Sequence, residues 1–185
     1  MGDGAVNYRR FLDGDDEGIV EIIREYKDGL ILYLNGYVDD IGIAEELVED
    51  TFFRIVTRKP RFSGRSTFKT WLYAIGRNVA MDSLRKRKRI DNRSVEDSER
   101  ILREEQMLER EYLEQERKIL LHKAMRNIPA EYRRILHLKF FEGFSNGEVA
   151  VILSKSVTQV NSLMYRAKQS LKSELDRVGF EYEEL

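Results

Sequence analysis

Ser145-Asn146-Gly147-Glu148-Val149-Ala150-Val151-Ile152-Leu153-Ser154-Lys155-Ser156-Val157-Thr158-Gln159-Val160 is the stretch that decides the fold. It opens on a serine followed three residues later by glutamate. That is a capping box, in which the hydroxyl takes the third helical N–H and the carboxylate reaches back to the cap. Eleven residues on, Ser156-Val157-Thr158-Gln159 repeats the pattern. Between the two boxes lies a short apolar helix carrying Val149, Ala150, Ile152 and Leu153, and Ser154-Lys155 makes the turn. Two helix starts at this spacing read as helix-turn-helix. The spacing predicts that the second helix buries Val157, Val160, Leu163, Met164, Ala167 and Leu171. Its other side offers Ser156, Thr158, Gln159, Asn161, Ser162, Tyr165, Arg166, Lys168 and Gln169. Amides and hydroxyls suit base edges in a major groove, and cations suit phosphates. No Asp or Glu occurs from Lys155 to Ser173, which favours DNA over the bland alternative of a solvated helical hairpin.

Upstream, Pro129 can open the preceding helix, because the N–H it lacks is not needed there. That helix carries Tyr132, Ile135, Leu136 and Phe140 and stops at Gly143. Asn146-Gly147 predicts a weak start for the short helix after it, since glycine in a helix costs about 1 kcal/mol relative to alanine. Toward the N-terminus, Asp15-Asp16-Glu17 places acid in the first turn of a helix with Ile19, Ile22, Ile23 and Tyr26 at helical spacing. Gly29 and Gly36 predict a bend or restart. Asp39 or Asp40 caps a third helix over about 41–56 with Ala44, Leu47, Val48, Phe52 and Ile55 on one side, ended by Pro60. Ser66 or Thr67 caps a fourth, reaching about Arg89. Phe68, Leu72, Ile75 and Val79 form its core stripe, and Trp71, Asn78, Asp82 and Arg85 an adjacent one. It ends in five cations, Arg85 to Arg89, which partly serve the helix C-terminus.

Composition fits an all-α chain of two small helical domains joined by a flexible acidic linker. Charged residues are 35% of the 185, and only Pro60 and Pro129 are prolines. The absence of cysteine excludes disulfides and thiolate metal sites. No apolar run approaches the roughly 18 residues of a membrane span, and no signal peptide is evident, so a soluble cytoplasmic protein is expected. The net charge of −1 conceals alternating blocks. Residues 1–50 hold 4 Lys/Arg against 14 Asp/Glu, and 51–95 hold 13 against 2. Residues 96–117 hold 4 against 9, and 118–178 hold 11 against 5. Two basic blocks point to two polyanion-facing surfaces, or to ordinary solvated faces.

Three segments together resemble the extracytoplasmic-function sigma factors of bacterial RNA polymerase. Ala44-Glu45-Glu46-Leu47-Val48-Glu49-Asp50-Thr51-Phe52-Phe53-Arg54-Ile55 is similar to the family's polymerase-binding helix. Phe68 to Arg85 is similar to its promoter-melting helix. Ile128-Pro129 with Arg133, then Phe144-Ser145 through Arg166-Ala167-Lys168, resemble its minus-thirty-five-binding domain.

The resemblance implies region 2 over 1–92, an acidic linker over 93–117, region 4 over 118–178 and an acidic tail over 179–185. Leu47, Val48, Asp50, Thr51, Phe53 and Arg54 would bind core polymerase. Ser66, Thr67, Phe68, Lys69, Trp71, Asn78 and Arg85 would meet minus-ten DNA, with Trp71 equally a core candidate. Ser66, Thr67, Phe68 and Asn78 would surround a flipped base, whose extrusion costs a few kcal/mol. The linker would thread through polymerase. Core polymerase and promoter DNA are the implied partners, with an anti-sigma protein as a third, and no cofactor is implied. The chain departs from the family pattern at Glu46, Glu49, Asn161 and Leu163, so the resemblance implies the helix and the groove but neither the polar contacts to polymerase nor the promoter sequence. A regulator that never joins polymerase would have no use for the 41–56 and Trp71–Arg89 helices. An enzyme is disfavoured: no Glu-x-x-His pair accompanies the acids at 45–50, no phosphate loop occurs, and His122 and His137 stand alone.

Overall fold

The computed structural model describes residues 4–91, 120–121 and 123–180. The 93–117 linker and residues 181–185 of the acidic tail lie outside the described residues. Among the described residues every regular element is helical. They are α1 (Gly4–Leu12), α2 (Glu17–Val38), α3 (Ile41–Arg58), α4 (Phe68–Asp91), α5 (120–121 and 123–127), α6 (Ala130–Leu136), a π-helical turn (His137–Phe141), α7 (Asn146–Leu153) and α8 (Val157–Arg177).

The caps follow the side chains. Asp40 takes the Ile43 N–H at 3.0 Å and starts α3. The Thr67 hydroxyl takes the Thr70 N–H at 3.2 Å at the start of α4. Both capping boxes form, Ser145 with Glu148 and Ser156 with Gln159, so the expected weak start at Asn146-Gly147 is held closed. The helix-turn-helix corner puts Ser154 in the left-handed region at φ 52°, where a glycine would sit without strain.

Leu30, Leu34, Ala44, Ile55, Leu72 and Ala80 have no exposed surface and hold α2, α3 and α4 together. Thr51 is fully buried among them, its hydroxyl satisfied by the Leu47 carbonyl at 2.7 Å. Ile135, Leu138, Val149, Ile152, Val160 and Ala167 do the same for α6, α7 and α8.

Three expectations need correcting. α2 runs unbroken through Gly29 and Gly36. The π turn rotates the end of the helix after Pro129, so Leu138 is buried while Phe140 and Phe141 face out. Val157 is exposed, because the first helical residue of α8 still borders the turn.

The two helical groups are packed on each other. α7 lies against α4 and α6 against α2. This contact explains the glycines in α2. A Cβ at Gly29 would stand 2.6 Å from the Tyr73 hydroxyl and 2.8 Å from Glu142 Oε1. One at Gly36 would stand 3.0 Å from Arg134 Cγ. Both serve close approach between the groups rather than a bend.

Candidate functional site

α3 presents a divided face. Leu47, Val48 and Thr51 point inward, being at most 3% exposed, so they fix the helix and cannot themselves be touched by a partner. Of the expected polymerase contacts, Asp50 and Phe53 are exposed and Arg54 half-buried. Phe53 is 67% exposed, a large aromatic ring left in water with Val56 nearby on the same helix. Arg54 reaches Asp82 of α4 at 3.4 Å, and Arg85 meets the same carboxylate at 3.2 Å. Asp82 therefore joins the α3 face to the basic end of α4.

The start of α4 rests on an aromatic cluster. Trp71 lies 5.2 Å from Tyr8, 5.4 Å from Phe62 and 5.3 Å from Phe68, ring centre to ring centre. Trp71 thus belongs to the packing, with part of its ring still accessible. The Tyr8 hydroxyl donates to the Pro60 carbonyl at 2.7 Å, pinning the 59–67 loop to α1. Burial pushes the Tyr8 phenol up to about 12, so it stays a donor. α1 had no signal in the sequence reading, yet it anchors the loop that ends in Ser66 and Thr67. Asn78 is exposed, and its carbonyl accepts from Arg77 at 3.3 Å. Asn78 and Arg85 are exposed on one side of α4, bonded within the helix to Arg77 and Asp82, with Trp71 half-buried on the same stripe.

Thr67 and Lys69 turn elsewhere, onto the second helical group. Lys69 Nζ sits 2.8 Å from Glu142 Oε2 and donates to the Glu142 carbonyl at 2.9 Å. The Tyr73 hydroxyl donates to Glu142 Oε2 at 2.8 Å, and His137 Nε2 lies 3.3 Å from Oε1. Burial works to raise the Glu142 carboxyl, but bonds from His137, Lys69 and Tyr73 outweigh it and bring it down to about 2. Burial and the adjacent Glu142 charge push the Tyr73 phenol far up. Glu148, besides closing its capping box, accepts from Thr67 at 3.2 Å and Thr70 at 3.0 Å. Burial would raise it as well, and the bonds from Ser145, Thr70 and Thr67 lower it. Arg134 donates to the Gly36 carbonyl at 2.9 Å and lies over the Tyr37 ring. None of Glu142, Tyr73, Thr70 or Arg134 was singled out from the sequence. The signal that could have found Glu142, Tyr73 and Arg134 is the pair of helix-interior glycines facing them; Thr70 carries none.

On α8, Ser156, Thr158, Gln159, Asn161, Ser162, Tyr165, Arg166 and Lys168 are all exposed on the side away from the core. A cleft of about 240 Å³ runs between Glu131, Lys155, Thr158, Gln159, Ser162 and Arg166. Lys168 also stands 5.3 Å from the centre of the Phe140 ring.

Comparison with known proteins follows the same division. The family model "Sigma-70 region 2" matches residues 22–90, and "Sigma-70, region 4" matches residues 118–171. The chain belongs to the extracytoplasmic-function sigma factors of the sigma-70 family. As an alternative sigma factor it directs transcription initiation, and the family is not an enzyme class. It is similar to the RNA polymerase sigma-H factor of Pseudomonas aeruginosa, 27% identical over 88% of each chain. It is also similar to the ECF RNA polymerase sigma factor SigX of Bacillus subtilis, 28% identical over 82% of this chain and 80% of that one. The ECF RNA polymerase sigma-E factor of Haemophilus influenzae is 26% identical over 90% and 92%. Two solved structures share the fold. CnrH, in complex with the cytosolic domain of CnrY, is 19% identical with a TM-score of 0.65, covering 95% of this chain and 97% of that one. RpoE of Bartonella quintana, in complex with the anti-sigma factor NepR, is 23% identical with a TM-score of 0.63, covering 84% and 97%. No helix of the described residues is long and apolar enough to cross a membrane.

Proposed function

We propose that this sigma factor divides its work among three surfaces. The exposed side of α3 around Asp50, Phe53 and Arg54 docks core RNA polymerase. The Ser66–Asn78–Arg85 side of α4 holds the melted minus-ten strand, with Thr67 and Lys69 joining when the two helical groups part. The polar side of α8 reads the minus-thirty-five element. Residues 1–92 act as region 2, 118–178 as region 4, and 93–117 as the link between them. The protein works in the cytoplasm with polymerase, without an enzymatic activity of its own. An anti-sigma partner is part of the proposal, supported by the complexes in which the two structural relatives occur.

The observation that carries the division is Phe53. A ring 67% exposed, on a helix whose neighbouring Leu47, Val48 and Thr51 are all buried, serves a partner rather than the fold. The two helical groups must part in use. Elements centred about ten and thirty-five base pairs upstream lie on the order of 85 Å apart at ~3.4 Å per pair. A chain this long packed as one body is roughly 40 Å across. The test is binding of the full chain to core polymerase. Phe53→Ala should weaken it by about tenfold or more with unchanged thermal stability, as for a central aromatic contact. Undiminished binding would remove α3 from the docking surface.

A further inference from the structure

Two amide side chains on the recognition helix have their carbonyls occupied from within the protein. Gln159 Oε1 accepts from the Ser156 backbone N–H at 2.8 Å, as its capping box requires. Asn161 Oδ1 accepts from Asn146 Nδ2 at 2.7 Å. Asn146 is the first residue of α7 and Asn161 lies one turn into α8, so this bond spans the two helices of the motif. Asn146 Oδ1 is buried and has no hydrogen-bond partner. That orientation is nevertheless the sensible one. The carbonyl lies at a helix start, where the free N–H groups make the potential positive, and the opposite orientation would bury an unpaired NH2 there instead. Asn161 itself is exposed.

An unconstrained asparagine reads adenine with both ends of its amide, accepting from N6 and donating to N7. With its carbonyl turned toward Asn146 and one lone pair engaged there, Asn161 keeps its NH2 as the end free to meet a base edge. Guanine presents two adjacent acceptors, O6 and N7, to such a donor, whereas adenine sets its N7 beside a donor, thymine offers one acceptor beside a methyl group, and cytosine presents a donor. We propose that Asn146 is a specificity-determining residue of the minus-thirty-five reader: by holding the Asn161 carbonyl it makes Asn161 a donor to guanine. This rests on the reading of α8 as the base-contacting helix.

The experiment uses holoenzyme reconstituted from core polymerase and the full chain, selecting from duplex DNA randomised over the minus-thirty-five element. Wild type should enrich guanine at one position, and Asn161→Ala should flatten that position. Asn146→Asp leaves only acceptors at residue 146, so the Asn161 amide turns to face it and the carbonyl turns outward. The preference at that position should then move to adenine or cytosine, by about tenfold relative to guanine. Aspartate suits a first helical turn but leaves one carboxylate oxygen buried there, so the fold of this variant is checked by thermal melting against wild type, and Asn146→Ala carries the test if Asn146→Asp melts early. Asn146→Ala should release the amide and raise adenine. If Asn161→Ala flattens the position while both Asn146 variants keep the wild-type profile, the coupling is wrong although the base contact stands. If Asn161→Ala changes nothing, the base-contact reading falls and this inference with it.

Discussion

Glu142→Gln isolates the charge that holds the two helical groups together. The carboxyl is drawn from 4.5 to about 2, and at roughly 1.4 kcal/mol per pKa unit the ionised form is favoured by about 3 kcal/mol. Its partners are His137 from its own group and Lys69 and Tyr73 from α4. Lys69 and Tyr73 cross between the groups, so on the order of 1–2 kcal/mol belongs to the packed arrangement, a factor of roughly 5–30 in its equilibrium. Glutamine resembles the neutral acid and should forfeit about that much. The chain contains no cysteine, so dyes can be placed at Arg58→Cys and Gln169→Cys alone. Energy transfer between them should be lost at lower urea in Glu142→Gln than in the parent at pH 7.

The pH dependence has a definite sign. A carboxyl lowered in the packed state stabilises it fully above about 4.5, and that contribution is lost as pH falls toward 2. The gap between parent and variant should therefore be constant at neutral pH and close over that acid range. Coincident urea midpoints at pH 7 would refute the reasoning.

Gly29→Ala should weaken the same packing without unfolding α2, since its Cβ would stand 2.6 Å from the Tyr73 hydroxyl and 2.8 Å from Glu142 Oε1. The dye pair should report it, while alanine favours the helix itself by about 1 kcal/mol. Arg166→Ala should weaken binding to all minus-thirty-five sequences alike and lower the salt slope by about one unit, measured as affinity against salt concentration.

The local fold was legible because its signals are short-range. Asp40, Ser145–Glu148 and Ser156–Gln159 cap the helices from within three residues, and the stripes on α3 and α4 repeat at helical spacing. What the sequence concealed depends on contacts between distant segments. Gly29 and Gly36 look like breaks until Glu142, Tyr73 and Arg134 are placed against them. Lys69 and Thr67 read as DNA contacts until their carboxylate partners, more than seventy residues away, are known. The π turn at His137–Phe141 carries no sequence mark, so helical spacing alone sets Phe140 with Ile135 and Leu136 although it faces out. No cap announces α1, and its role comes through Tyr8 bonding Pro60, 52 residues on. At the site itself, residue types mark a stripe on α4, but only packing separates buried Leu47, Val48 and Thr51 from exposed Asp50 and Phe53.

Strand opening tests the account most directly, because holding a melted strand separates a sigma factor from a protein that merely binds duplex DNA. Holoenzyme made from core polymerase and the full chain is placed on a linear promoter chosen from a library by run-off transcription, and unpaired thymines are probed with permanganate. The wild-type chain should give reactive thymines across the minus-ten element. Asn78→Ala, altering an exposed side chain, should fold normally and bind core polymerase and duplex minus-thirty-five DNA as before, yet lose that reactivity. Full opening by Asn78→Ala would remove that residue from the strand site, and failure of the wild-type holoenzyme to open any promoter would contradict the account as a whole.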